Sequence, residues 1–122
     1  MFEIKVIKYF KASHGLYNFQ GEDEPIHEHH WRMEVVVTSE EVDVSGCAID
    51  FHEVDQAIAE VIRPYEGKAF NDVEPFIEIS PSAELIAKHF YNRLAPAFNK
   101  QHTALLSVTI CEDDYHRATY FT

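Results

Sequence analysis

The order of hydrophobic patterns predicts an α+β domain, a four-stranded antiparallel sheet with two helices on one face. Two observations carry this. Four stretches alternate apolar and polar residues at period two, in two pairs toward the chain's ends. Between the pairs, two stretches repeat their apolar residues at helical spacing and are bounded by caps and prolines. The reading is therefore strand, strand, helix, helix, strand, strand. With no linker or low-complexity tract, residues 1–122 form a single domain.

The first strand begins at Phe2-Glu3-Ile4-Lys5-Val6 and reaches His14-Gly15. A loop follows over Asn18–Pro25, with Gly21 and the acidic run Glu22-Asp23-Glu24. Pro25 holds Glu24 toward an extended backbone. The second strand carries Trp31, Met33, Val35 and Val37 on one face, with Arg32, Glu34 and Thr38 on the other. Ser39–Ser45 is polar and turn-like, and Gly46 ends it. Asp50, with Glu53 three residues on, caps the first helix. Phe51, Val54, Ile58, Val61 and Ile62 form its apolar stripe, and Pro64 closes it. A connection of about 15 residues, Tyr65–Ile79, is long for a compact domain. Ser80-Pro81 reads as the second helix start, with Ala83, Ile86, Ala87, Phe90 and Leu94 facing inward and Pro96 ending it. Leu106, Val108 and Ile110 define a third strand that finishes at Glu112. Asp113-Asp114 is a hairpin turn, and Tyr115–Phe121 is the fourth strand.

Three of the eight histidines fall in His27-Glu28-His29-His30, at the mouth of the second strand. Residues two apart on a strand share a face, so His27 and His29 aim together and His30 turns away. Two aligned imidazoles are half of a tetrahedral zinc site, and His14, ending the first strand, is the candidate third ligand. Three protein ligands leave one position open for water or substrate, the catalytic arrangement.

Composition narrows the partners. The formal net charge of −11 repels a phosphate backbone, which argues against nucleic acid and leaves room for a small phosphorylated substrate. No apolar run approaches the roughly 20 residues of a membrane helix. Met1–Lys5 lacks the layout of a signal peptide, so the expected location is cytoplasmic. Cys47 and Cys111 have no CxxC spacing and read as small structural residues, Cys47 buried. Trp31 and Phe10 read as core or interface residues.

Five motifs in order resemble the 6-pyruvoyltetrahydropterin synthase and 6-carboxytetrahydropterin synthase family, built on the tunnelling fold. They are His14; His27-Glu28-His29, where the family has His-Gly-His; Gly46-Cys47-Ala48-Ile49-Asp50-Phe51; Pro81-Ser82-Ala83-Glu84, where it has Pro-Thr-x-Glu; and Glu112-Asp113, where it has Glu-Thr. The resemblance covers nearly the whole chain. It implies that His14, His27 and His29 hold zinc, that Glu112 grips a pterin ring, and that Ser82 stands beside the same ring. It implies a zinc-dependent lyase acting on dihydroneopterin triphosphate or a related pterin side chain. It also implies a homo-oligomer, a hexamer built as a dimer of trimers.

Two departures alter the implied active site. The family cysteine, four residues before the first paired histidine, is Asp23 here, followed by Glu24. Some relatives use a glutamate near this loop, so Asp23 and Glu24 are the candidate catalytic acids. The family's Asp-His pair corresponds to Glu66 and Gly67. The alternative reading is a zinc- and pterin-binding homologue that has lost the synthase reaction and binds, or acts on, another heterocycle.

Overall fold

In the computed structural model, which describes residues 1–122, the alternating stretches become β1 (Phe2–His14), β2 (His27–Ser39), β3 (Thr103–Cys111) and β4 (Arg117–Tyr120). They form one antiparallel sheet in the order β1-β2-β3-β4. The two central stretches are α1 (Phe51–Ile62) and α2 (Ala83–Phe98). The expected ββααββ order is the observed one, and no helix is long and apolar enough to cross a membrane.

β1 and β2 pair without a break, from Phe2 opposite Ser39 to His14 opposite His27. Period-two alternation then sends Phe10, Trp31, Met33, Val35 and Val37 to one face, where all are buried. α1 adds Val54, Ile58, Val61 and Ile62, and α2 adds Ile86, Ala87, Phe90 and Leu94. The Trp31 indole stacks near Phe10 and donates Nε1–H to the Ala12 carbonyl at 2.9 Å, so the largest core side chain leaves no polar atom unpaired. The opposite face carries Lys5, Arg32 and Arg117 around Glu34, at 3.3, 3.1 and 3.9 Å. Arg32 Nε, though close to Glu34, is not aligned for a hydrogen bond.

Several boundaries differ from expectation. Ser82, not Ser80, caps α2: its hydroxyl accepts from Leu85 N at 3.2 Å. Ser80 instead accepts from Tyr17 N at 3.1 Å. Pro96 lies inside α2, which continues to Phe98. A proline disturbs only the turn behind it, and Asn99 N still closes on the Ala95 carbonyl at 2.8 Å. β4 is four residues, shorter than Tyr115–Phe121, because Asp113 takes Tyr115 N and His116 N into the turn. Phe51, in the first turn of α1, is exposed, as is Cys47. Cys47 belongs to a loop wound around the Asp43 carboxylate, which accepts from Ser45 N and Cys47 N. Leu106 faces solvent because the pairing skips it: Val36 is opposite Ser107, and Val37 opposite Leu105. Such a bulge inserts one residue and resets the alternation.

The long connection is not loose. Tyr65, Phe70 and Phe76 are buried in it, and Phe70–Asp72 forms a single 3-10 turn. Gly67 N donates to Lys11 O at 2.7 Å and Ser13 N to Lys68 O at 2.9 Å. The segment thereby covers the β1 edge where that strand reaches His14.

Candidate metal centre

The unbroken β1–β2 register builds the site. It sets His14 opposite His27 and Ala12 opposite His29. Residues opposite one another share a face, so the three imidazoles gather at one end of the core face. Their ring centroids lie 4.9, 5.1 and 4.8 Å apart, and one nitrogen from each falls within 4.8 Å of the others. Trp31 forms the floor, edge-on to His14 and His29 at 4.7 and 5.1 Å.

Two carbonyls orient two of the rings. His14 Nδ1 donates to Pro81 O at 2.7 Å, and His27 Nδ1 donates to Pro25 O at 2.8 Å. A carbonyl only accepts, so each Nδ1 carries the proton and each Nε2 presents a lone pair. Burial holds the His14 imidazole below its ordinary pKa, against the upward pull of the Pro81 carbonyl and Glu112. His14 is thus held as a neutral imidazole. Its Nε2 stands 3.6 Å from Glu112 Oε1, beyond hydrogen-bond length and a contact rather than an ion pair.

The structure offers a test of fit for a cation. His29 Nε2 is buried and has no hydrogen-bond partner. An orphaned buried nitrogen is costly, roughly 1–3 kcal/mol. A metal ion satisfies it together with the other two nitrogens. Zinc takes neutral imidazole nitrogens as ligands, and three of them within 4.8 Å of one another match that donor set. The residues fit the ion.

The chain holds His14 in place from behind. Asn71 clamps Gly15 twice: Gly15 N donates to Asn71 Oδ1 at 3.0 Å, and Asn71 Nδ2 donates to Gly15 O at 2.7 Å. A Cβ on Gly15 would meet the Glu24 carbonyl at 2.4 Å, so only glycine lets the loop return here. Glu24 N bonds the Leu16 carbonyl at 2.8 Å, and Glu24 Oε1 accepts from Leu16 N at 3.1 Å. Glu24 therefore lies half-buried beside the exit of β1. Asp23 is turned outward onto Asn18 N at 2.9 Å. Ser82 follows the carbonyl that orients His14, and its cap bond leaves the hydroxyl free to donate. His14, His27, His29 and Glu112 thus converge, Ser82 follows in the chain the carbonyl that holds His14, Glu24 lies at the exit of β1, and Asp23 points away to Asn18 N. The Asn71 clamp and the Pro81 carbonyl escaped the sequence reading, since each acts across more than 50 residues of chain.

The model of the 6-pyruvoyl tetrahydropterin synthase family matches residues 3–122. Among solved structures, that of Caenorhabditis elegans 6-pyruvoyl tetrahydropterin synthase superposes with a TM-score of 0.86 at 20% identity, covering 99% of this chain and 95% of that one. A Plasmodium vivax 6-pyruvoyltetrahydropterin synthase, described as a mutant with a catalytic glutamate replaced by alanine, gives 0.78 at 17% identity, covering 99% and 97%. An uncharacterized Wolinella succinogenes protein gives 0.73 at 13% identity, covering 100% and 99%. No curated protein matches the sequence. The structural likenesses establish the tunnelling fold, and with a family model spanning nearly every residue, the chain belongs to the 6-pyruvoyl tetrahydropterin synthase family.

Proposed function

We propose that this chain is a zinc-dependent enzyme acting on the side chain of a reduced pterin, dihydroneopterin triphosphate or a close relative. The observation that carries the reading is the buried, unpartnered His29 Nε2 set among three convergent imidazoles, with Glu112 at their rim. Zinc held by His14, His27 and His29 supplies a Lewis acid toward the oxygens of the substrate side chain.

The chain's own groups do the rest. The Glu112 carboxylate accepts from the amino-pyrimidine N–H groups of the ring, two acceptor oxygens to two donors. The Ser82 hydroxyl donates beside it. Glu24 takes the proton from the side-chain carbon, while Asp23, the other candidate acid of the loop, is engaged by Asn18 N; the catalytic glutamate described for the Plasmodium vivax enzyme supports a carboxylate in this work. Leu16 N holds Glu24 in one orientation, as a general base requires. Loss of triphosphate or of a two-carbon fragment completes the reaction.

A closed homo-oligomer, a hexamer of two trimers, fits the sheet edges. β4 pairs only with Val108–Cys111 and leaves the first half of β3 unpaired on that side, and open edges call for cover. Light scattering then gives about six times the 14.1 kDa chain mass. The central test is metal analysis with turnover of dihydroneopterin triphosphate followed by product mass. One zinc per chain and a mass-shifted product are expected. No zinc after reconstitution, or no product with zinc present, removes the assignment. Pterin binding without turnover marks a binding homologue.

A further inference from the structure

We propose that His116, oriented by Asp113, is a second acid–base group of this site, facing Glu112 and the three histidines from the β3–β4 hairpin. This rests on the pterin reading above and adds to it a group that moves protons. β3 and β4 pair as Ile110 with Ala118 and Cys111 with Arg117. The next step of that ladder is present, since Glu112 N donates to His116 O at 3.1 Å. Residues opposite one another leave the sheet on the same side. His116 therefore shares the side of Glu112, whose carboxylate touches the His14 ring.

Asp113 gives that imidazole a fixed role. Its carboxylate accepts from His116 Nδ1 at 2.9 and 3.0 Å, and from Tyr115 N and His116 N at 2.8 Å each. The Tyr115 N–H foremost, then the His116 ring, hold the Asp113 carboxyl below the usual range, so it stays ionised. An ionised carboxylate on Nδ1 places the proton there and leaves Nε2 with a lone pair. It also stabilises the imidazolium that forms when Nε2 takes a proton, the logic of an oriented base. The His116 side chain is 73% exposed, so a small heterocycle can reach it.

Side-chain chemistry on a pterin needs one group to remove a proton and another to deliver one. Glu24 and His116 approach from different loops and divide these tasks. His116 Nε2 first takes a proton from solvent, giving an imidazolium whose Nδ1–H stays on Asp113. Nε2–H then gives that proton to a side-chain oxygen or carbon, the electron pair of the N–H bond returns to Nε2, and solvent recharges it for the next turnover. No oxidant or reductant enters.

The test uses the zinc-loaded full chain with dihydroneopterin triphosphate, and the variants His116→Ala, His116→Gln and Asp113→Asn. For the two His116 variants, kcat falls about 100-fold, the lower end of general acid–base effects. Their zinc content and pterin affinity, read by fluorescence, stay within about twofold of wild type, on the reasoning that the ring moves protons without holding the ligand. Free imidazole restores turnover to His116→Ala. Asp113→Asn lowers kcat with KM held and shifts the ¹⁵N signals of the His116 ring as its tautomer preference is lost. Wild-type kcat in either His116 variant overturns the proposal and leaves the pterin reading standing. Loss of zinc or folding in both His116 variants makes the pair structural and overturns it as well. A wild-type protein that neither binds nor converts the pterin refutes both readings together.

Discussion

Asn71→Ala tests how the metal centre is held. Asn71 makes two hydrogen bonds to the backbone of Gly15, the residue after His14, at 3.0 and 2.7 Å. Each such bond contributes about 1 kcal/mol net, and leaving partners unmet in a buried position adds more. Gly15 is buried, so the loss sums to about 3 kcal/mol. With a urea m-value of roughly 2 kcal/mol/M for a domain this size, the unfolding midpoint falls by about 1.5 M. The measurement is urea denaturation of metal-free protein, followed by far-ultraviolet circular dichroism. Asn71→Asp keeps the acceptor for Gly15 N and loses the donor to Gly15 O, and falls between the two. Because Gly15 fixes the exit of β1, zinc affinity by equilibrium dialysis also weakens about tenfold in Asn71→Ala, the low end of outer-ligand effects. A midpoint within roughly 0.2 M of wild type would show that Gly15 is held by something else, and the support argument would fail.

Other outcomes follow from the same geometry. His29→Ala lowers zinc from about one per chain to under roughly a tenth after dialysis, because two imidazoles make only half a tetrahedral site; metal analysis reads it, and undiminished zinc refutes the three-histidine centre. Gly15→Ala drives a Cβ to 2.4 Å from the Glu24 carbonyl and costs about 2 kcal/mol or more, seen as a lower melting temperature. Trp31→Ala empties a fully buried site and removes the Nε1–H bond to the Ala12 carbonyl, costing about 3–5 kcal/mol by urea titration. Burial, with Arg93 beside it, holds His89 below its ordinary pKa of 6.5. The folded state then binds fewer protons than the unfolded chain, so stability is full above 6.5 and declines as pH falls through the interval down to the depressed folded value. His89→Gln shortens that acid limb in a stability–pH series.

What was legible in the sequence is what local pattern dictates. The His27–His29 parity, the Asp50 cap and the inward set Trp31, Met33, Val35 and Val37 all follow from spacing along one segment, and all stand as expected. The place of His14 beside that pair was legible too, because two antiparallel strands joined by one loop bring their ends together. What stayed hidden depends on partners distant in sequence. Ser80 has the local look of a cap, but Tyr17 N claims its hydroxyl. Pro81, once bound to His14, stands outside the helix. Pro96 resembles a terminator, yet nothing a single proline removes is needed in the last turn. Cys47 sits in a loop wound by Asp43, which no periodicity marks. Glu24 and Asp23 look alike in the sequence, and only the return of the loop onto Leu16 separates them.

The skipped residue at Leu106 has a consequence for how tolerant this strand is to changes in length. Leu105 and Val108 both point inward although they are three positions apart, and one unpaired residue absorbs the mismatch. A chain shortened by Leu106 alone would regain simple alternation from Leu105 onward, with Glu112 still toward His14. Shortening by one anywhere between Thr109 and Cys111 would turn that carboxylate to the charged side of the sheet and out of reach of the histidines. The strand therefore behaves like a ratchet with one free tooth, and that tooth lies several residues upstream of the chemistry.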